Sequence, residues 1–279
     1  MPELPEVQTV VDALHAAGIV GLSIIGVDVR RARNVAGMRA AVFARRLRGR
    51  AIAAVQRRGK FIVMPLDDGT TLLTHLRMSG QLVWRQPAEP CDPHDRVAIT
   101  FANGRQLRFH DTRAFGRMHL VADLRGILGR LGPEPLGSAF TVKTLADLLQ
   151  KRARMLKPLL LDQTQIAGIG NIYADEALWL ARLHPRRGSN SLRDAEIGAL
   201  YRAIRHVLRK GIRNLGTRLG GGEPNFTLPG AGRSRNHERL NVFRRTGQPC
   251  PRCATPIRRL VVAQRSTHIC PQCQPEPRA

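Results

Sequence analysis

Two cysteine pairs decide how the C-terminal end of this chain can fold. Cys250 and Cys253, then Cys270 and Cys273, give the spacing C-x2-C-x16-C-x2-C. Each C-x2-C turn presents two thiolates on one side, and two such turns make a tetrahedral S4 cage that suits one structural Zn²⁺. Disulfides would use the same residues but need an oxidising compartment. The N-terminus, MPELPEVQTV, carries two Glu and no basic residue before its first apolar run. That is wrong for a secretory signal, so an intracellular, cytoplasmic protein with a reduced zinc site is expected. Between the pairs, residues 257–262 and 265–269 read as two short strands, giving a β-hairpin zinc finger that carries Arg258, Arg259 and Arg265. His268 competes as a ligand in principle, but four Cys already complete the site. Cys91 is left over as an ordinary thiol.

The partner of this module follows from charge. Lys and Arg number 45 against 21 Asp and Glu, a net charge of +24 over 279 residues. Nucleic acid is the leading partner, because neutralising its phosphates releases counterions. An anionic membrane is the runner-up. It is disfavoured because the chain has no long basic amphipathic helix and no window approaching about 18 uninterrupted apolar residues. Hydrophobic residues make up 43%, which excludes wholesale disorder, and the length fits about two domains.

Periodicity divides the chain. Residues 6–17 read as an amphipathic helix through Val7, Val10, Val11 and Leu14, stopped at Gly18. From residue 22 to about 121 the period shifts toward two. Strands are expected at 22–29, 60–66, 70–76, 81–84, 97–101, 106–110 and 117–121. Asp67-Asp68-Gly69 and Asn103-Gly104 supply hairpin turns. The Pro/Gly-rich stretch 131–137 is the best boundary, and helices are expected beyond it at 144–151, 157–162, 173–182 and 193–210. Ser191 with Asp194 resembles a capping box for the last of these. Residues 216–235 hold six glycines and two prolines, which argues against a stable helix or strand there.

Three constellations carry chemistry. At the N-terminus, removal of Met1 would leave Pro2 as a secondary amine. An α-amino group titrates near 8, well below lysine at about 10.4, so it is the better nucleophile at neutral pH. Glu3 and Glu6 stand ready as proton carrier and charge stabiliser. The alternative is that Pro2 and Pro5 merely start a helix and Glu6 complements its dipole. Next, Gly168-Ile169-Gly170-Asn171 opens a helix whose N–H groups can close on a phosphate, although a plain connection between two helices has the same form. Last, HLRMSG with Met78 and DTRAFG with Arg113 and Phe115 fall at strand ends. Those three side chains could wedge into a base stack, or Met78 and Phe115 could be ordinary core residues.

The motifs also occur in a telling order: MPELPEV, RRGKF around Lys60, HLRMSG, DTRAFG, GPEPL, GIGNIYADE, AQR ending at Arg265, and the four-Cys ribbon. Over residues 2 to about 273 they resemble bacterial formamidopyrimidine-DNA glycosylases of the Fpg/Nei family. PELPE points to the formamidopyrimidine branch rather than the endonuclease VIII branch. The resemblance implies an α+β fold: an N-terminal β-sandwich with a leading helix, then a helix–two-turn–helix α domain with a C-terminal β-hairpin zinc finger. The implied boundaries are 2–130 for the catalytic sandwich, 138–215 for the helical DNA-binding domain and 216–238 for a lesion-capping loop, with the zinc finger at 239–273 and a tail at 274–279.

The resemblance also implies roles. Pro2 is the Schiff-base nucleophile, Glu3 its general acid/base, Glu6 a transition-state support, and Lys60 a catalytic aid beside the lesion phosphates. Met78, Arg113 and Phe115 fill the void after base flipping, with Arg113 facing the orphaned cytosine. Asn171 and Arg265 grip the flanking phosphates, Lys157 is placed with the DNA contacts, and Glu176 is a weaker carry-over. The implied protein is a monomer acting on duplex DNA with oxidised bases or abasic sites. It excises oxidised purines and then cuts by β,δ-elimination. Competing readings are the pyrimidine-preferring sibling and a non-catalytic DNA-binding zinc protein, which would need none of Pro2, Glu3 and Lys60. Two departures bear on lesion preference: Ala114 stands where the family often has a basic residue, and Pro224 or a neighbour stands where some members carry a lysine.

Overall fold

The alternating apolar pattern of the N-terminal half closes into two five-stranded sheets over one core. The computed structural model describes residues 1–86, 88–151, 153–217, 226–227 and 236–277. The chain forms two compact units, Met1–Gly129 with Leu215–Ser234, and Arg130–Asn214 with Arg235–Ala279.

In the first unit the leading helix α1 spans Leu4–Ala16. It starts two residues before position 6, because Glu3 and Glu6 form a capping box and Pro5 lies in the first turn. One sheet runs in the order β1 (Ile24–Val29), β7 (Asp95–Phe101), β8 (Gln106–Asp111), β6 (Gly80–Arg85) and β10 (Phe226–Thr227). The other runs β2 (Val35–Ala36), β9 (Arg117–Val121), β5 (Thr71–His75), β4 (Phe61–Pro65) and β3 (Gln56–Arg58). Neighbours are antiparallel except β2 with β9 and β10 with β6. Ile62, Met64 and Leu72 of one sheet share a single apolar cluster with Leu82, Trp84, Ile99 and Phe109 of the other. Val7 and Leu14 of α1 join it, so the unit is a β-sandwich plugged by its first helix.

Helix α2 (Ala40–Leu47) is absent from the sequence reading because it buries only Phe43 and Leu47, one i, i+4 pair among arginines. Strand β3 is likewise hidden, being three polar residues at a sheet edge. A short helix α3 (Arg125–Leu128) ends the unit. The expected capping segment 216–238 lies mostly outside the described residues. Within it, Phe226–Thr227 pairs with Leu82 and Val83, a two-residue strand where glycine and proline content argued against one.

The second unit holds α4 (Val142–Gln150), α5 (Leu156–Leu161), α6 (Asn171–Leu180) and α7 (Asp194–Arg213). The hairpin of β11 (Arg258–Val262) and β12 (Arg265–Ile269) follows. Helix α7 buries Ile197, Leu200, Ile204, Val207 and Leu208 along one stripe. Its cap is not the expected Ser191–Asp194 box. Arg193 is the capping residue, and its backbone N–H donates to Glu196 Oε2 at 2.9 Å. Helix α6 is buried on nearly all sides from Ile172 to Trp179, including Asp175 and Glu176.

Candidate active site and nucleic-acid interface

In the first unit, the capping box that starts α1 also gathers the acidic groups. Pro2, Glu3, Glu6 and Lys60 are all buried. The Glu3 N–H donates to Glu6 Oε2 at 2.8 Å, and the Thr217 N–H donates to Glu6 Oε1 at 2.6 Å. Gly216 has φ +74°, and a Cβ there would come within 3.0 Å of Glu6 Cγ. Lys60 follows Gly59 in the tight β3–β4 turn, where Arg57 Nη1 donates to the Gly59 carbonyl at 3.1 Å.

The α-amino group of Met1 lies within electrostatic reach of Glu3, Glu6, Lys60 and Arg113. Burial holds its pKa below the ordinary amino-terminal value, the two carboxylates pull it up, and Lys60 and Arg113 push it down. Glu3, Glu6, Lys60 and Arg113 therefore all act on the electrostatics of the amino terminus. His75, which opens the HLRMSG motif and carried no assigned role, stands opposite Phe61 with ring centroids 4.7 Å apart. Burial, with Arg77 and Lys60 nearby, pushes its pKa down to about 3, so it is a neutral member of this region.

The β5–β6 and β8–β9 turns bring the wedge candidates together. Met78 and Phe115 are 52% and 41% exposed, which overturns the core reading. Arg113 Nη2 donates to Met78 Sδ at 3.1 Å, and its guanidinium lies 5.0 Å from the Phe115 ring centroid. Asp111, wholly buried, organises both turns. Its Oδ1 accepts the Ser79 hydroxyl at 2.5 Å, and its Oδ2 accepts the Gly116 N–H at 2.7 Å. A Cβ at Gly116 would meet Phe109 Cζ at 2.3 Å, so only glycine fits there. Ala114 is buried with φ 53°. Arg117, whose Nη1 donates to the Ala114 and Gly116 carbonyls of the same turn, is held below the usual guanidinium range by burial and by Arg33 and Arg77.

In the second unit, Gly170 caps α6 and Asn171 is its first residue. Asn171 Nδ2 donates to the Ser266 carbonyl at 2.9 Å, which places it next to exposed Arg265 at the start of β12. Lys157, which the resemblance sets among the DNA contacts, does not stand with them. Its side chain is wholly buried, and Nζ donates to Asp175 Oδ1 at 2.6 Å, Thr267 Oγ1 at 2.8 Å and the Ser266 carbonyl at 2.9 Å. A buried ammonium with three protein acceptors does not reach a phosphate. Glu176 is also structural, accepting the N–H groups of Asn241, Val242 and Phe243.

The four Cys converge as expected. Their sulfurs lie within 4.8 Å of one another, with 3.4 Å between Cys253 and Cys270 and 4.0 Å between Cys250 and Cys273. A tetrahedral zinc with Zn–S of about 2.3 Å needs sulfurs about 3.8 Å apart, so the cage fits one Zn²⁺. Trp179 Nε1 donates to Cys250 Sγ at 3.4 Å, and the Cys273 N–H donates to Cys270 Sγ at 3.4 Å, contacts suited to thiolates. Contact with Thr255 pushes the Cys253 thiol down to about 6, whereas burial pushes Cys270 up to about 12. His268 is not a ligand; its Nδ1 lies 3.1 Å from Asp175 Oδ2.

Three family models match this chain. They are the formamidopyrimidine-DNA glycosylase N-terminal domain at residues 1–118, its H2TH domain at 131–220, and the zinc finger found in FPG and IleRS at 247–275. The chain belongs to the formamidopyrimidine-DNA glycosylase family. The formamidopyrimidine-DNA glycosylase of Protochlamydia amoebophila is 46% identical, covering 98% of this chain and 99% of its own. That of Herpetosiphon aurantiacus is 47% identical, covering 98% and 100%. Among solved structures of the family, the MutM (Fpg) protein of Thermus thermophilus superposes with a TM-score of 0.87 at 42% identity, covering 99% of this chain and all of that one. A Lactococcus lactis Fpg mutant complexed with Fapy-dG-containing DNA gives 0.91 at 35% identity, covering 99% and 100%. Within the glycosylase family the cysteine cage is thus a zinc finger, and no helix among the described residues is long and apolar enough to cross a membrane.

Proposed function

We propose that this member of the family, a DNA glycosylase with duplex DNA as its partner, removes 8-oxoguanine and formamidopyrimidines and then cuts the abasic strand as an AP lyase. The observation that carries this reading is the setting of the N-terminus, where Glu3, Glu6, Lys60 and Arg113 all act electrostatically on the first nitrogen. Once Met1 is removed, the Pro2 nitrogen becomes a secondary amine in that setting. It attacks C1′ of the deoxyribose as the glycosidic bond breaks; the bonding electrons leave with the base, which takes up the proton that the Pro2 nitrogen sheds on becoming a tertiary amine. Glu3 carries a proton to the ring oxygen, the sugar opens, and an iminium forms between Pro2 and C1′. Glu6 supports the developing positive charge. Loss of a C2′ proton expels the 3′ phosphate, and loss of a C4′ proton then expels the 5′ phosphate, with Lys60 beside those phosphates.

Met78, Arg113 and Phe115 fill the gap left by the extruded base, Arg113 pairing with the orphaned cytosine. Asn171 and Arg265 hold the flanking phosphates. Catalysis is assigned to residues 2–130, DNA grip to 138–215 and 239–273, and base capping to 216–238, with 274–279 a tail. Reduced thiolates in the zinc cage suit a cytoplasmic enzyme.

The test is product analysis on a duplex with one 8-oxoguanine opposite cytosine. β,δ-Elimination leaves a one-nucleotide gap with phosphate on both sides. An intact strand carrying an abasic site would mean base removal without the lyase steps.

A further inference from the structure

In a chain of net charge +24, two consecutive buried acids lie side by side on α6. Asp175 is 1% exposed and Glu176 3%. Each holds a different stretch of the chain that follows α7. Glu176 takes the three successive N–H groups from Asn241 to Phe243. Asp175 takes the zinc hairpin: its Oδ2 accepts the His268 N–H at 2.9 Å, and its Oδ1 accepts Lys157 Nζ. Lys157 in turn reaches Thr267 Oγ1 and the Ser266 carbonyl. Asn171 Nδ2 donates to that same carbonyl. Asn171 and Asp175 are four residues apart on one helix, so they share a face, and β12 lies along it.

We infer that Lys157 with Asp175 is a positioning pair that bolts β12 to α6 and so sets the spacing between Asn171 and Arg265. The inference rests on the proposed role of those two residues as phosphate contacts. A buried ion pair is a poor source of stability, because apolar side chains of the same volume commonly do as well. What it supplies is direction. The three Lys157 protons point to three acceptors on two elements, and sliding the hairpin by one residue would break the set. Arg265 is the residue next to Ser266, so holding the Ser266 carbonyl fixes where the exposed guanidinium begins. Lys157 itself is wholly buried and adds no phosphate contact of its own.

The experiment measures binding of the intact, zinc-loaded protein to a duplex containing a tetrahydrofuran abasic analogue, over a range of salt. Lys157→Met should weaken binding about tenfold with zinc content unchanged, the size of one lost charge-assisted contact. It should also lower the salt slope by about one, although Lys157 touches no phosphate. In an Asn171→Ala/Arg265→Ala background, Lys157→Met should have no further effect on binding. A full additional loss in that background, or wild-type affinity and slope in Lys157→Met alone, would overturn the inference while leaving the phosphate reading intact. Wild-type binding by Asn171→Ala/Arg265→Ala itself would overturn both. If Lys157→Met loses zinc or does not fold, the isosteric Asp175→Asn is measured in the same way.

Discussion

The carboxylate of Glu6 joins two chain segments more than two hundred residues apart, accepting the Glu3 N–H at 2.8 Å and the Thr217 N–H at 2.6 Å. The start of the leading helix and the root of the segment after α7 therefore share one side chain. Gly216 makes this approach possible, with a left-handed φ of +74° and no Cβ to meet Glu6. Gly216→Ala should cost about 1–2 kcal/mol of stability from backbone strain and crowding. It should also slow 8-oxoguanine excision by displacing Glu6. Chemical denaturation and single-turnover kinetics check the two effects.

The wedge gives a specificity prediction. Arg113→Ala removes a guanidinium that can pair with the base opposite the lesion. It should reduce discrimination for cytosine by about 1–3 kcal/mol, measured as the ratio of excision rates opposite cytosine and adenine. Phe115→Ala should slow excision of 8-oxoguanine far more than cleavage of a pre-formed abasic site, because only the former requires extrusion. Equal losses on the two substrates would show that Phe115 acts as packing.

Metal removal should be read locally. Cys250→Ser or chelation should release the zinc and most DNA binding while the β-sandwich stays folded. The two tryptophans report separately: Trp179 contacts Cys250, whereas Trp84 lies in the sandwich core. Fluorescence of a Trp84→Phe variant should change on chelation, and that of a Trp179→Phe variant should not.

His75 predicts an acid limb. Its folded-state pKa of about 3 lies below the ordinary value of 6.5, so the unfolded chain binds the extra proton. The stability this lends is complete above about pH 6.5 and is lost progressively as pH falls toward 3, by several kcal/mol at most. His75→Asn keeps an acceptor for the Arg77 N–H and should flatten that limb in urea titrations between pH 6.5 and 3.

Much of this was legible in the sequence where one residue type does one job. The cysteine spacing names its cage, and strand 117–121 and hairpin strand 265–269 fall where period two and turn chemistry put them. Legibility fails where burial is decided by tertiary contacts. Nothing local separates Lys157 from the surface arginines around it, and only the approach of β12 to α6 encloses it. Met78 and Phe115 look like core residues locally, yet the two turns that Asp111 ties together leave both exposed. The Ser191 cap failed because Glu196, reaching back to Arg193, competes for the same helix end.

In the proposed mechanism the first nitrogen of the processed chain does the chemistry. Borohydride should trap a covalent complex between the Met1-free protein and a duplex bearing 8-oxoguanine opposite cytosine, and peptide mapping should place the adduct on Pro2. An adduct on Lys60, or equal trapping by protein that retains Met1, would contradict it.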